Sequence, residues 1–347
     1  MNILIFTQKV DKNDPILGFF HRWVEEFAKH YKKVYVICLE KGEYTLPKNV
    51  KVMSLGKENG AGKIVRVINW YRHVTPLLLF GRVDRILVHM NEIYTMMLIP
   101  FYVVRKVRRM PLYWWKCHGH LSSLAKISRY FVDRILTCSE RSFSAQMKKV
   151  LILGHGIDTD HFLPPKEKKS QVNVLAVGRF TKSKRYEDLI HAVSLVQDEL
   201  TDVPVQIVGA AKEIPEEYEE KLRALVASLG LENIISFVSA LPNKKLVSLY
   251  QNADILVNTS ETDSLDKVVL EAMACGVVPI SSNEAYQPIL EPFSLSVKKD
   301  DARELSRTIV RVIQMKSEDK ESLRTQMREI VKQDHNLSNL IRKIYEL

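Results

Sequence analysis

The stretch that decides the fold is Asp254-Ile255-Leu256-Val257-Asn258-Thr259-Ser260-Glu261-Thr262-Asp263-Ser264-Leu265-Asp266-Lys267-Val268-Val269-Leu270-Glu271-Ala272-Met273-Ala274-Cys275-Gly276-Val277-Val278-Pro279-Ile280. An apolar strand, Asp254–Asn258, runs into a polar loop. The loop enters a short helix over Leu265–Cys275, Gly276 closes it, and a second apolar strand follows at Val277–Ser281. A strand, a helix and another buried strand in this order form a crossover unit of a parallel sheet. The loop amides near Ser264 and Leu265 then stand before the positive end of a helix, a natural place for an anion. Asp263 precedes that helix and Glu271 lies within it. A cap at Asp263 or Ser264 and a surface acid at Glu271 stay open beside a ligand-binding reading.

Outward from this unit the same plan repeats. Strands are expected at Asn173–Val177, Val205–Gly209 and Ile234–Val238, with helices at Tyr186–Glu199, Ile214–Leu229 and Lys244–Gln251. The first half has strands at Asn2–Phe6, Val34–Leu39, Val50–Leu55, Arg85–His89, Pro111–Trp115 and Arg134–Cys138. Amphipathic segments at Gly18–Lys29 and Tyr94–Arg109 lie between them. Alternation of this kind predicts an α/β chain of two doubly wound, Rossmann-like domains facing a cleft, with ligands outside the carboxyl ends of the strands. Pro164–Ser170 reads as the linker. The expected domains are residues 1–165, residues 171–330 and a C-terminal helix over 331–347 that crosses back to the first domain.

The length of 347 residues agrees, because single cores rarely grow past ~250–300 residues. Cys38, Cys117, Cys138 and Cys275 are scattered with no CxxC pair, which points to a reducing compartment and away from a disulfide or zinc framework. The start Met1–Phe6 reads as a buried strand rather than a signal peptide, and no apolar run reaches the ~20 residues of a membrane span. The net charge of +10 is unevenly spread. Residues 1–170 hold 29 basic and 14 acidic side chains, a balance of +15, and residues 171–347 hold 22 and 27, a balance of −5. Between Ile93 and Val132 there is no acid, against Arg105, Lys106, Arg108, Arg109, Lys116, Lys126 and Arg129. Such a face meets an anion or is simply solvated. No nucleic-acid module accompanies it, so nucleic acid is not an expected partner.

The second chemical signal is Ala176-Val177-Gly178-Arg179-Phe180-Thr181-Lys182-Ser183-Lys184. A buried strand ends at a glycine, and Arg179 and Lys184 follow in a turn before a helix. Glycine permits close backbone approach, and two cations can clamp a diphosphate. A basic turn without a ligand is the alternative. The chain has neither a GxGxxG after its first strand nor a GxxxxGKS/T, so neither a dinucleotide fingerprint nor a P-loop is present.

Together these two segments resemble the retaining glycosyltransferases of the GT-B fold, family 4. The family pattern is Gly-Arg with a Lys five residues after the Arg, then an acid, seven residues, Glu, and Ala-Met-Ala-x-Gly. Arg179, Lys184, Glu271 and Ala272–Gly276 match it in spacing. His155-Gly156-Ile157-Asp158 with Phe162, the Leu246–Ala253 run and His118-Gly119 extend the likeness over nearly the whole chain. The resemblance implies that Arg179 and Lys184 bind the diphosphate of a nucleotide sugar and that Glu271 accepts hydrogen bonds from its ribose. It implies that Asp263 holds hydroxyls of the transferred sugar beside the amides of Ser264 and Leu265, and that His118 contacts sugar or phosphate from the first domain. The loop at Gly18 would shape the donor and acceptor pockets. Asp263, His118 and Glu271 are thus the implied catalytic set. No metal or cofactor is implied beyond the nucleotide-diphosphate sugar itself. Asp158-Thr159-Asp160 has the form of a metal motif, but the segment fits the interdomain Gly-Ile-Asp element instead.

Three positions depart from the pattern. Asp263 replaces Glu, Arg185 stands where glycine is common, and Asp266 adds negative charge near the diphosphate, with Lys267 as its expected counter-charge. The implied acceptor is a lipid-linked or polysaccharide glycan at the cytoplasmic membrane face, with the basic first domain docking on anionic lipid. The implied location is cytoplasmic and peripheral to the inner membrane face. A nucleotide-sugar epimerase on the same scaffold and a non-catalytic donor-binding subunit are the competing readings.

Overall fold

Runs such as Ile3–Phe6, Ile86–Val88 and Ile255–Val257 are buried on both sides of the chain. Their backbone groups can then be satisfied only in a sheet covered on both faces. The computed structural model describes residues 1–119, 121–143, 147–167, 172–209, 216–239, 241, 243–262 and 264–347. It divides into two units, Met1–Gly156 with Leu337–Leu347, and Ile157–Asn336. Residues 157–165, expected with the first domain, and 331–336, expected with the last helix, belong to the second unit.

Unit 1 contains β1 (Asn2–Val10), β2 (Lys33–Lys41), β3 (Val50–Ser54), β4 (Arg85–His89), β5 (Leu112–Trp115), β6 (Arg134–Thr137) and β7 (Val150–Ile152). They form a parallel sheet in the order β3-β2-β1-β4-β5-β6-β7. One apolar layer contains Phe20, Trp23, Phe27 and Trp115, covered by α1 (Phe19–His30) and the C-terminal helix Leu337–Glu346. The other contains Phe6, Trp70, Trp114 and Ile135. It lies under α2 (Lys63–Leu79), α3 (Glu92–Met97), α4 (Tyr102–Val107) and α5 (Ser123–Phe131). Tyr113, Trp114 and Trp115 are all buried in β5.

Unit 2 contains β8 (Val174–Val177), β9 (Val205–Gly209), β10 (Ile235–Ser239), β11 (Ile255–Asn258) and β12 (Val278–Ser281). These are parallel in the order β10-β9-β8-β11-β12. Its helices are α6 (Tyr186–Ser194), α7 (Glu216–Ser228), α8 (Asn243–Gln251), α9 (Lys267–Ala274), α10 (Gln287–Leu290), α11 (Ala302–Ile313) and α12 (Ser317–Asp334). The C-terminal helix, α13, packs on α1 of unit 1. In each sheet the strand order reverses at one point, between β1 and β4 in unit 1 and between β8 and β11 in unit 2. Loops diverge there and leave a crevice.

Two expectations need correction. The helix expected over Tyr94–Arg109 is broken into α3, a 3-10 turn at Ile99–Phe101 and α4. Pro100 supplies no N–H to an α-helical ladder, and the chain tightens around it. The basic run is also only partly a free surface. Arg105 is 1% exposed, and its Nη2 lies 2.8 Å from Asp133 Oδ2. Arg108 donates 2.6 Å hydrogen bonds to the carbonyls of Leu78 and Gly81, tying α4 to the end of α2. Asp133 in turn accepts from the Leu112 amide at 2.8 Å, at the start of β5. Burial opposes its ionisation, but that amide and the charges of Lys106 and Arg105 hold its carboxyl below the ordinary range. Arg105→Ala should therefore destabilise unit 1 by roughly 3 kcal/mol, because a partly buried carboxylate loses the buried one of its two cations. Thermal unfolding of this variant checks it, and a change within the ±0.5 kcal/mol of a surface site would contradict the assignment.

Candidate functional site

In unit 2 the switch point brings together the two segments that the sequence singles out. The turn after β8 holds Arg179 and Lys184, and the loop after β11 runs through Thr259 to Asp266 into α9. Thr259 Oγ1 donates to the Lys184 carbonyl at 2.7 Å, and the Glu261 amide donates to the Ser183 carbonyl at 3.0 Å. These bonds clip the two loops together at the carboxyl ends of adjacent strands.

Phe180 anchors the first loop. It is buried against Tyr186 and Phe237, and a Cβ on Gly209 would stand 2.6 Å from its ring. Its neighbour Arg179 is left exposed, and no ion pair to a described residue holds it. Lys184 folds back instead. Its stem crosses Gly178, where a Cβ would stand 3.1 Å from Lys184 Cε and 2.9 Å from the Tyr186 hydroxyl. Glycine is required here by that close approach.

Lys184 Nζ meets Asp266 Oδ1 at 2.9 Å. This corrects the expected pairing of Asp266 with Lys267: the ammonium comes from the other loop. Asp266 also accepts from Asn258 Nδ2 at 3.0 Å and from the Ser260 hydroxyl. Burial opposes its ionisation, but Lys184 and these hydrogen bonds hold its carboxyl below the usual range. Asp266 is the residue that precedes α9, yet its side chain caps nothing, because it is committed to Lys184. Helix α9 begins two residues later than expected. Ser264 and Leu265 are buried immediately before it. Asn283 braces this loop, donating to Ser260 Oγ and Thr262 Oγ1 at 3.2 Å and to the Ser264 carbonyl at 3.1 Å. Asp263 lies outside the described residues.

Glu271, on α9, is 4% exposed and accepts from the Tyr250 hydroxyl at 3.0 Å. Burial pushes its carboxyl up, against the opposing pull of Lys267 and Tyr250. It is therefore no surface acid. Gly276, at φ +76°, closes α9 with its amide on the Met273 carbonyl at 3.0 Å and the Val277 amide on that of Ala272 at 3.0 Å. Arg185 occupies the left-handed region at φ +49°, which explains why glycine suits this position. It is held there by Asp188, which it contacts through Nε at 2.8 Å and Nη2 at 3.0 Å.

In unit 1, Gly18 precedes α1, with its amide on the Asp14 carbonyl at 3.0 Å. His118 is exposed in the loop after β5. Lys116, two residues earlier, pairs with Glu92 at 3.5 Å, and Glu92 also accepts from Ser122 Oγ at 2.5 Å. His89 stacks on Phe20 at 4.3 Å and meets Thr7 Oγ1 at 3.2 Å across β1 and β4. Asp158 Oδ1 accepts the amides of Asp160 and His161 at 3.2 Å, so the Asp-Thr-Asp segment closes a turn.

Sequence reasoning missed Asn258, Ser260, Asn283 and Tyr250. The signal was polar residues placed directly after a buried strand, at Asn258-Thr259-Ser260 and Ser281-Ser282-Asn283. A cavity of about 420 Å³ lies past the end of β12, lined in part by Ser282, Glu284, Gln287 and Lys298, and it contains none of the site residues expected from sequence.

Two outcomes follow from this geometry. Gly178→Ala should cost about 1–3 kcal/mol by overpacking. Tyr186→Phe alone should be near neutral, since its hydroxyl has no partner among the described residues. The double variant should then recover part of the loss in a thermal-unfolding cycle, and strict additivity would contradict the contact. Glu271 gives a pH effect. A carboxyl whose folded pKa is raised contributes fully below its unfolded value of about 4.3 and loses that contribution as pH rises through the folded value. Glu271→Gln should therefore gain in melting temperature relative to the parent between pH 5 and pH 8. A difference that does not change with pH would contradict this account.

Comparison with known proteins places these features in context. Residues 158–334, just over half of the chain, match the family model described as Glycosyl transferases group 1. A D-inositol 3-phosphate glycosyltransferase of Corynebacterium aurimucosum is 27% identical over 164 residues, which are 42% of this chain and 38% of that protein. The chain thus spans well under half the length of this curated relative. Among solved structures, Anabaena Alr3699/HepE in complex with UDP and glucose superposes with a TM-score of 0.76 at 17% identity, covering 100% of this chain and 98% of that one. The apo form of the lipopolysaccharide outer core galactosyltransferase WaaB gives 0.66 at 15%, covering 100% and 99%. At these identities the structures speak for the fold.

Proposed function

The chain belongs to the glycosyl transferases group 1, and on that premise we propose that it moves a hexosyl unit from a nucleotide-diphosphate sugar to an acceptor with retention of anomeric configuration. Its two Rossmann-like units give it the GT-B fold. The observation that carries the reading is the convergence, at the switch point of unit 2, of exposed Arg179, paired Lys184 and the N-terminal end of α9. A diphosphate needs such an arrangement, with a guanidinium fork, an ammonium and backbone amides aimed at one anion. An ammonium has three donors, so Lys184 can keep Asp266 and still direct an N–H to a phosphate oxygen. As the glycosidic bond to the diphosphate breaks, negative charge grows on the leaving oxygens and positive charge on the sugar. Donors already fixed in place stabilise that charge without reorganising.

Glu271, held by Tyr250, takes the ribose hydroxyls in this proposal. Asp263 and the amides of Ser264 and Leu265 take the sugar. Arg179, Lys184 and the helix start fill the part a metal ion plays elsewhere, so transfer should survive chelation of divalent cations. The acceptor is a lipid-linked or polysaccharide glycan at the cytoplasmic membrane face. The basic first half supports that reading, as do the lipopolysaccharide outer core named for a galactosyltransferase of the same fold and four buried, scattered cysteines suited to a reducing compartment.

Arg179→Ala tests the core of this reading. Loss of charge-assisted hydrogen bonds worth ~1.5–3 kcal/mol should weaken nucleotide-sugar binding about 10- to 100-fold. The thermal shift produced by a panel of nucleotide sugars reads donor binding, and proton NMR of the product reads the anomer. Unchanged donor binding in Arg179→Ala would overturn the site, and an inverted product would overturn the retaining mechanism.

A further inference from the structure

Helices α2, α4 and α5 lie over the same layer of the unit 1 sheet, around Trp70, Trp114 and Ile135. Contacts join them into one surface. The rings of Tyr102 on α4 and Phe131 on α5 meet edge-on at 6.3 Å, and Arg105 of α4 reaches Asp133 beyond α5. Arg108 ties the end of α4 to the carbonyls of Leu78 and Gly81. The outer side of this surface is apolar to an unusual degree. Phe80 is 85% exposed, Val107 77%, Val103 70% and Tyr130 66%, with Ile127 and Leu124 exposed beside them. On α5, Leu124, Ile127 and Tyr130 form one stripe opposite buried Ala125 and Ser128. Exposed large side chains on one face of three adjoining helices mark an interaction surface.

The charges on this surface select its partner. Lys106 sits 5.5 Å over the Tyr102 ring, and Arg129 sits 5.0 Å over that of Tyr130. Arg109 and Lys126 are exposed nearby. No acid occurs between Ile93 and Val132, and Asp133 is already taken by Arg105 and Lys106. Apolar side chains bordered by Arg109, Lys126 and Arg129 suit anionic headgroups above an acyl layer. A second copy would bring cation against cation across the same face.

We propose that the α4–α5 face, extended by Phe80 at the end of α2, docks the protein on an anionic lipid bilayer. Val103, Val107 and Ile127 enter the acyl boundary, Tyr102 and Tyr130 lie at headgroup depth, and Arg109, Lys126 and Arg129 meet lipid phosphate. Arg105 and Arg108 are excluded from this role, because they hold the helices together. The proposal deepens the membrane-face reading above, yet it stands on exposure and charge rather than on donor chemistry.

Flotation of the full chain with vesicles tests it, using phosphatidylglycerol and phosphatidylcholine in equal parts against phosphatidylcholine alone. Binding should need the anionic lipid and fall as salt rises. Arg109→Gln and Lys126→Gln should each weaken it about fivefold, and Val103→Ser with Val107→Ser about tenfold. All four sites are exposed, so melting temperature and the thermal shift by nucleotide sugars should stay unchanged. Equal binding to both vesicle types, or binding untouched by these variants, would overturn the proposal. A valine variant that altered sedimentation velocity but not flotation would overturn it in favour of a protein partner. Loss of flotation with an intact nucleotide-sugar shift counts for the docking face alone. Intact flotation without that shift counts against the donor reading alone.

Discussion

The ion pair between Lys184 and Asp266 is the constraint on which the second unit's chemistry depends. It joins two loops that leave adjacent strands in different directions. Because Asp266 spends its carboxylate on Lys184, Asn258 and Ser260, it cannot cap α9. Because Lys184 and the Tyr186 hydroxyl lie across the end of β8, a side chain at position 178 would be crowded. A crowded Gly178 and an Asp266 side chain that does not cap α9 are two consequences of one contact. A pair this buried contributes little to net stability relative to an apolar substitute, but removing either partner alone is costly. Its value here is positional.

The two carboxylates near this site respond to pH in opposite directions. Asp266, held low, stabilises above its unfolded value of about 3.9 and fails as pH falls through its folded value. Glu271, pushed up by burial, does the reverse. The site is therefore balanced between two buried acids. Unit 1 is built differently. Its aromatic layers are broad, its buried Arg105 braces helices, and Arg109, Lys126 and Arg129 border one apolar face. The uneven charge of the chain thus sorts into a structural share and a surface share that composition alone cannot separate.

Much of the fold was legible because apolar strands punctuated by glycine and polar loops leave a clear pattern. Arg85–His89 and Val205–Gly209 match to the residue. Other elements were hidden for physical reasons. Helix α2 escaped notice because Ile64 and Ile68 face outward in its first turns and blur the 3.6-residue period. Strand β7 is only Val150–Ile152. Pro100 broke a helix whose apolar period looked continuous. The motif residues Arg179, Lys184 and Glu271 could be found by spacing, but the partner of Asp266 could not. Lys184 lies far away in the chain, and only the parallel order of β8 and β11 brings the two together. Asn283, Ser260 and Tyr250 were invisible for the same reason, since their roles are hydrogen bonds across the topology.

The central claim is that the diphosphate of the donor settles at this switch point. Amide hydrogen exchange of the full chain, with and without a saturating nucleoside diphosphate, tests it most directly. The account predicts slowed exchange concentrated in residues 178–184 and 264–269. Slowed exchange elsewhere, with both segments unchanged, would contradict it.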